Sequence, residues 1–139
     1  MRLEWTPYLA VGISTIDDQH MELFRKFNNL LDALTEGDAK EEVAKVVQFL
    51  EDYTVTHFGM EEKVMDRYSY AATSAHKAQH AEFIADFVSL KERLLASNYS
   101  KPLAAQMLQR LAEWLLNHVG RIDRELGSFL KIAMMRRAA

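Results

Sequence analysis

The sequence predicts an all-α fold, an antiparallel up-down-up-down four-helix bundle with an extended N-terminal arm and a short C-terminal helix. Only two prolines and five glycines interrupt 139 residues, and strand-like alternation of polar and apolar residues is scarce. Apolar residues instead recur in alternating steps of three and four, the spacing of one helix face in a bundle core. A chain of this length is sufficient for one domain, residues 1–139, with its own core.

Local signals divide the chain into an arm, residues 1–16, and five helices. The arm carries four apolar residues that are available for packing: Trp5, Leu9, Val11 and Ile13. The helices are expected at about 17–36, 39–65, 74–96, 101–119 and 123–136.

Capping residues set these boundaries. The predicted helix starts are Asp17, Asp38 with Glu41 in capping-box spacing, Thr73 or Ser74, and Ser100 before Pro102. Gly37 is the expected stop of the first helix, and the stretch RYSYAAT, 67–73, is typical of a loop. Because the connecting loops are short, consecutive helices should run antiparallel.

All five histidines of the chain lie at one end of this predicted bundle. His20 is near the start of the first helix and His57 near the end of the second. His76 and His80 are near the start of the third helix, and His118 is near the end of the fourth. In an up-down-up-down bundle these positions share one end, and all five fall on the apolar stripes. The histidines are therefore expected to converge in one core.

Each histidine alone has an ordinary structural interpretation. A histidine in a core stripe is usually a hydrogen-bonded core residue, and His57 with Glu61, four residues apart, is usually a surface pair. Five together are not explained in this way, because several imidazoles and a carboxylate in an apolar core need compensation, which a metal ion supplies. A four-residue step turns a helix by about 40° net, so the two side chains of each pair, His57/Glu61 and His76/His80, point in nearly the same direction.

Asp123 follows His118 by five residues, a step that would place it about 140° away on a regular helix. It can join the histidines only if the helix breaks or widens, and Gly120 offers a place for this. Regular α-helix is therefore expected to stop within 118–124, with a π-type turn or a short break before a separate last helix.

Composition narrows the function further. The absence of cysteine excludes disulfides, iron–sulfur clusters and thiolate zinc sites, so a transition metal must bind His, Asp and Glu. The net charge of -3 argues against a nucleic-acid partner. No apolar run approaches the ~20 residues that cross a bilayer, and no signal-peptide pattern opens the chain. We therefore expect a cytoplasmic protein that does not bind membranes.

Several segments resemble the bacteriohemerythrins, the single-domain bacterial members of the hemerythrin family. They are Trp5, VGISTIDDQH (11–20), HFGMEE (57–62), HKAQH (76–80) and WLLNHVGRID (114–123). The resemblance implies a site of two iron ions with a bridging oxo or hydroxo group and seven protein ligands: His20, His57, Glu61, His76, His80, His118 and Asp123. Two departures touch only the shape of the pocket: YSY (68–70) replaces a segment in which many relatives have proline, and Val119 replaces a common isoleucine.

The resemblance also implies how these ligands divide. Glu61 and Asp123 would bridge both irons, one iron would take His76, His80 and His118, and the other would take His20 and His57. Counting then leaves the second iron five-coordinate, with one open position for a small ligand. By resemblance this ligand is molecular oxygen, bound reversibly in a dry pocket formed by Leu23, Phe58, Trp114, Leu115 and Val119.

Three alternatives stay open. A di-iron oxidase or peroxidase usually carries Glu-x-x-His pairs and more carboxylates, so the histidine-rich set favours binding over enzymatic oxidation. A sensor of oxygen or nitric oxide would need a protein partner, which the sequence does not indicate. A metal-free bundle is the purely structural alternative. Imidazole and carboxylate ligands suit iron but do not exclude zinc or manganese.

Overall fold

The computed structural model describes residues 2–37 and 40–138. The helices are α1 Ser14–Glu36, α2 Lys40–Arg67, α3 Thr73–Ala96, α4 Lys101–Glu113 and α5 Asp123–Ala138. A π-helical segment, Trp114–Ile122, joins α4 to α5, and a 3₁₀ turn, Pro7–Leu9, lies in the arm. The described residues contain no strand. The predicted all-α bundle is confirmed: α1 packs against α2 and α4, and α3 packs against the same two helices. None of the helices in 2–37 and 40–138 combines the length and apolar character that a membrane crossing requires.

The apolar stripes of the four long helices meet in one buried core. Phe27, Leu50, Phe83 and Leu111, one from each helix, are at most 2% exposed, and burial of each such side chain contributes about 1.5–3 kcal/mol. A smaller cluster, Met65, Leu126 and Leu130, lies where α5 packs over the end of α2. Because the histidines lie at this same end, α5 covers the end of the bundle that contains them.

The first helix begins three residues earlier than predicted, and Asp17 is not its N-cap. The N-cap position is Ile13, which makes no side-chain capping bond. The Asp17 carboxylate instead accepts hydrogen bonds from the backbone N–H groups of Val11 (2.8 Å) and Gly12 (3.4 Å). Gly12 has a φ of +91°, a backbone conformation that residues other than glycine rarely adopt. Asp17 therefore fastens the arm to the helix, because the turn at Gly12 brings these N–H groups to its carboxylate.

The other boundary predictions have mixed outcomes. The third helix begins after Ala72 with no side-chain cap, because the Thr73 hydroxyl donates to the Tyr70 carbonyl within the preceding turn. Neither Thr73 nor Ser74 is therefore the predicted N-cap. The proposed capping box at Asp38 lies outside the described residues.

Three further boundaries can be compared with the sequence. Gly37 ends α1 with a φ of +136°, as predicted, and Ser100 occupies the N-cap position of α4 without a side-chain bond. The second helix continues two residues beyond the predicted end, to Arg67.

The fourth helix departs from regular α-geometry earlier than predicted. Its regular turns end at Glu113, whereas the sequence placed the change within 118–124. The widening occupies nine residues, Trp114–Ile122, rather than one turn. The last helix follows the π segment directly, so it is continuous with the fourth helix and not a separate element.

The π segment places His118 and Asp123 on one face. The Asp123 N–H donates to the His118 carbonyl, which is the i to i+5 bond of a π-helix. Gly120 accommodates this geometry, because a Cβ there would lie 3.1 Å from the Leu115 carbonyl oxygen. The five-residue spacing thus indicated the right distortion, although its position was wrong.

The arm is held between α1 and α5. The backbone of Leu3 exchanges hydrogen bonds with the Asn28 side chain (3.0 and 2.7 Å), and Val11 is buried. A Cβ at Gly127 of α5 would lie 2.8 Å from the Val11 Cα and 3.1 Å from the Ala10 carbonyl oxygen. Only glycine permits this approach of the helix to the arm.

We predict that Gly127→Ala destabilises the fold, because the new methyl group would push against backbone atoms that cannot rotate away. Overpacking of this kind costs about 1–3 kcal/mol. Gly59→Ala is the matched control: it lies within α2, its added Cβ meets nothing within 4 Å, and better helix propensity should stabilise it by up to ~1 kcal/mol. Urea unfolding of the two variants should show shifts of opposite sign, and equal shifts would contradict the close approach.

Candidate metal centre

Seven polar side chains meet at one end of the bundle and are almost completely buried. None is more than 3% exposed. Two carboxylates lie in the middle. The imidazoles that surround them come from α1, α2, α3 and the π segment. The structure thus brings together every ligand that the sequence predicted: His20, His57, Glu61, His76, His80, His118 and Asp123.

The two oxygens of Glu61 face different histidines. Its Oε2 lies 3.5 Å from Nε2 of His57 and 3.7 Å from Nε2 of His20. Its Oε1 lies 3.1 Å from Nε2 of His80 and 3.5 Å from Nε2 of His76. Glu61 therefore separates a histidine pair, His20 and His57, from the remaining histidines.

Asp123 divides its oxygens in the same way. Its Oδ2 lies 3.1 Å from Nε2 of His20, whereas its Oδ1 lies 3.0 Å from Nε2 of His76 and 3.1 Å from Nε2 of His118. We call His76, His80 and His118 the histidine trio. Both carboxylates thus span the space between the histidine pair and the histidine trio.

The arrangement leaves many buried polar atoms without an aligned hydrogen bond. Both oxygens of each carboxylate are in this state, as are the Nε2 atoms of His76, His80 and His118. Such atoms are uncommon in folded proteins and cost about 1–3 kcal/mol each. The histidine trio with both carboxylates forms one set of donor atoms within 4.8 Å of one another, and the histidine pair with both carboxylates forms a second. Clustered imidazole and carboxylate donors of this kind fit a transition-metal cation.

Three side chains that sequence reasoning missed orient the imidazoles. Each accepts a hydrogen bond from the Nδ1 atom of a histidine, which leaves the Nε2 lone pair facing the centre. The acceptors are Gln19 for His57 (2.6 Å), Gln79 for His118 (2.8 Å) and Glu62 for His80 (2.9 Å).

A repeated dipeptide could have revealed two of these acceptors. Glutamine directly precedes both His20 and His80, and each glutamine bonds a histidine of the neighbouring helix rather than the one beside it. The pairing depends on how the helices pack, so a search of each helix by itself does not find it.

Charge balance in the metal-free centre lowers the pKa values of both carboxyls. Burial by itself raises the pKa of Glu61 and Asp123, and for Glu61 the nearby Asp123 charge adds to this. The facing histidines outweigh both effects and hold each carboxyl pKa well below its ordinary value. Both carboxylates are therefore ionised at neutral pH.

The histidines respond in two ways. Burial lowers the pKa of His57 and of His118 below the ordinary value. Burial acts in the same direction on His76 and His20, but contacts with the two carboxylates outweigh it. The pKa of His76 is raised to about 9, and that of His20 is also raised. A protonated His76 thus partly balances the carboxylates when no cation does.

Residues 11–130 match the family model of the hemerythrin HHE cation-binding domain. The chain belongs to the hemerythrin family. This confirms the resemblance inferred from the sequence motifs. A hemerythrin domain implies a non-haem iron site, and the seven-residue cluster is a place where this chain can hold metal.

Several hemerythrin relatives align over most of the chain. The Bacteriohemerythrin of Pseudomonas aeruginosa (strain LESB58) is 33% identical over 121 residues, 87% of this chain and 76% of the relative. That of Methylococcus capsulatus is 30% identical over 129 residues, 92% of this chain and 96% of the relative. A Hemerythrin-like protein of Naegleria gruberi is 27% identical over 115 residues, 83% of this chain and 82% of the relative.

The predicted pocket residues of this chain are all buried. Phe58 stacks on the His80 ring (centroids 3.9 Å apart, 3° between planes), and Trp114 stacks on His118 (3.8 Å, 9°). The three aliphatic members, whose role as a ligand pocket stays a prediction, belong to the main core: Leu23, Leu115 and Val119.

Sequence reasoning missed one aromatic neighbour of the centre. Tyr53 is 4% exposed and stacks on His57, with ring centroids 4.5 Å apart and 13° between planes. It precedes His57 by four residues, as Trp114 precedes His118. Burial and the charges of Glu61 and Asp123 raise the Tyr53 pKa well above its ordinary value, so the phenol is protonated at neutral pH.

We predict that the metal-free protein loses stability as the pH rises from 6.5 to 9. In this range folded His76 keeps its proton up to about pH 9, whereas an unfolded histidine releases it near pH 6.5. The folded state binds more protons, so the free energy of unfolding must fall with rising pH, and His20 acts in the same direction. His57 and His118, whose folded pKa values are lowered, act in the opposite direction only near pH 6.5, where the unfolded histidines still release protons.

Urea unfolding of the metal-free protein at several pH values between 6.5 and 9.5 measures this slope. His76→Gln should make it shallower, and iron-loaded protein should not show it, because the metal replaces the proton. A metal-free stability that stays constant or increases over the range would contradict the assignment of the proton to His76.

Proposed function

We propose that this chain binds two iron ions and carries molecular oxygen reversibly at one of them. The observation that supports this most strongly is the position of the carboxylates, each with one oxygen toward the histidine pair and the other toward the histidine trio. One cation would leave several of these donors unused. Two adjacent cations bridged by Glu61 and Asp123 would use all of them.

The proposed ligand sets are unequal. The histidine trio with both carboxylates supplies five protein donors, and the histidine pair with the same carboxylates supplies four. A bridging oxo or hydroxo group adds one donor to each iron. The iron at the histidine trio would then be six-coordinate, whereas the iron at the histidine pair would keep an open position, as small-ligand binding requires.

The bound iron pair would supply the electrons and the open position for oxygen. The chain's own residues orient the imidazoles and exclude water. The side chains of Gln19, Gln79 and Glu62 hold three Nε2 atoms toward the centre, and buried apolar side chains surround it. A dry surrounding of this kind limits side reactions of a bound reactive species.

The donor set favours a carrier over an oxidase. Di-iron enzymes of the ferritin-like class use a carboxylate from each of four helices and Glu-x-x-His pairs. Within 2–37 and 40–138, the carboxylates at the centre are those of Glu61 and Asp123, and imidazoles make up the rest. A sensor would use the same centre but transmit its state to a protein partner, so the two roles differ outside the site.

Anaerobic reconstitution with ferrous iron tests the proposal. We predict close to two irons per chain by elemental analysis, a visible absorption change when oxygen is added, and its reversal when oxygen is removed. Rapid oxygen consumption in the presence of a reductant would indicate an oxidase or peroxidase instead. A single tightly bound zinc in protein from iron-replete cells would contradict the two-iron site.

A second prediction tests the pocket. Leu115→Ala should speed autoxidation of the oxygenated protein at near-normal iron content, because the cavity admits water beside the centre. Leu111→Ala is the matched control: it removes the same atoms from an equally buried leucine four positions earlier, in the last turns of α4 and farther from the centre. Both changes should cost about 2–5 kcal/mol of stability, but only Leu115→Ala should affect autoxidation. Equal autoxidation rates in the two variants would remove Leu115 from the pocket.

A further inference from the structure

A layer of buried side chains lies one helical turn from the histidines and closes the metal centre on the side of the bundle core. None of its members is more than 4% exposed. We call it the floor layer; it consists of Leu23, Tyr53, Phe83, Trp114 and Leu115.

Two members of the floor layer come from diagonally opposed helices. Tyr53 lies on α2 and Trp114 lies in the continuation of α4; both helices pack against α1 and α3. Each residue is four positions before a histidine on which its ring stacks. Because these helices run in the same direction, the two rings lie at one level. The Trp114 indole N–H is close enough to the Tyr53 hydroxyl oxygen to act on it as a weak hydrogen-bond donor.

The Tyr53 hydroxyl donates to no acceptor among the described residues. The hydroxyl and the Trp114 Nε1 are both buried, and neither makes a hydrogen bond of ordinary geometry there. Apart from the seven residues of the centre, the described residues leave one other buried side-chain donor unpaired, the Nε1 of Trp5 in the arm. A phenylalanine would supply the same packing as Tyr53 without this cost. The hydroxyl is therefore not explained by the folded chain alone.

The position of the Tyr53 ring indicates which part of the metal centre its hydroxyl lies near. Tyr53 stacks on His57, a member of the histidine pair. Its ring also meets the edge of Phe58 (5.4 Å, 71°), so it lies among the aromatic side chains that line the centre. If the proposed function holds, the histidine pair carries the iron with the open position. The unpaired hydroxyl is then on the side where a small ligand binds.

We propose that Tyr53 donates a hydrogen bond to the ligand at the open position and thereby favours ligands that carry negative charge over neutral ones. This inference rests on the proposed function, because it requires a metal at the histidine pair. A hydrogen bond to a charged acceptor is about twice as strong as a neutral one, and a dry surrounding strengthens it further. Tyr53 is thus a specificity-determining residue.

Azide binding to the oxidised, iron-loaded protein tests this inference. Tyr53→Phe should weaken azide binding about tenfold or more, the factor that corresponds to loss of a hydrogen bond to a charged group, at unchanged iron content. Tyr70→Phe is the control, because it removes a hydroxyl from a partly buried ring that packs at a tilt against Phe129, outside the centre. The control should bind azide as the unmodified protein does. Equal azide affinity of Tyr53→Phe and the unmodified protein would overturn the inference.

The metal-free protein gives a readout that does not depend on ligand binding. Because the Tyr53 hydroxyl donates to no acceptor among the described residues, metal-free Tyr53→Phe should unfold at the same temperature as the unmodified protein or at a higher one. A clearly lower unfolding temperature would show that the hydroxyl has a protein partner, and would also overturn the inference.

The two proposals fail in different ways. If the unmodified protein does not release oxygen reversibly but Tyr53→Phe still weakens azide binding, the carrier function fails and the role of Tyr53 stands. If oxygen binding is reversible and Tyr53→Phe changes neither azide affinity nor oxygen release, only the role of Tyr53 fails. A chain that binds neither iron nor azide would overturn both.

Discussion

The burial of two carboxylates, Glu61 and Asp123, is the constraint on which the rest of the structure depends. An isolated ionised carboxylate is far too costly in an apolar interior, so it must be paired or must bind a cation. Five imidazoles surround the two groups, and in the metal-free state proton uptake at His76 supplies part of the missing positive charge. Metal and protons therefore compete for the same charge balance, which couples metal affinity to pH and to folding.

The centre is built from two similar halves that differ at two places. One half has Gln19-His20 on α1 and Tyr53, His57 and Glu61 on α2; the other has Gln79-His80 on α3 and Trp114, His118 and Asp123 in α4 and its continuation. In the second half the acid follows the last histidine by five positions rather than four, and the π segment absorbs this extra residue. The second difference lies four residues before His20 in the first half and four residues before His80 in the second. At this position α1 has buried Ile16, whereas α3 has His76. This one position makes the donor sets unequal, and in the proposed two-iron site this unequal count would leave one position open.

Much of the site could be predicted from the sequence because it depends on helix periodicity and bundle topology. Residue spacing and the short loops indicate both of these features. The features that were missed depend on contacts between elements. Asp17 is a residue type that is favoured at N-caps, but its carboxylate instead accepts hydrogen bonds from two backbone N–H groups of the arm. Gln19 bonds a histidine 38 positions away on another helix. The start of the π segment at Trp114 could not be derived from spacing either, since a five-residue step requires a wider turn without fixing where it begins.

Closure of the centre depends on parts of the chain far from it in sequence. The floor layer closes it toward the core, and at the other end α5 packs over α2. The position of α5 depends in turn on its close approach to the arm at Gly127 and Val11, and the arm is fastened to α1 by Asp17, three residues before His20. A substitution in the arm therefore acts on the centre through α5 and through α1 together. Loss of packing in the arm should loosen both the residues that follow Asp123 and the first turns of α1, and so admit water to the centre without altering any ligand.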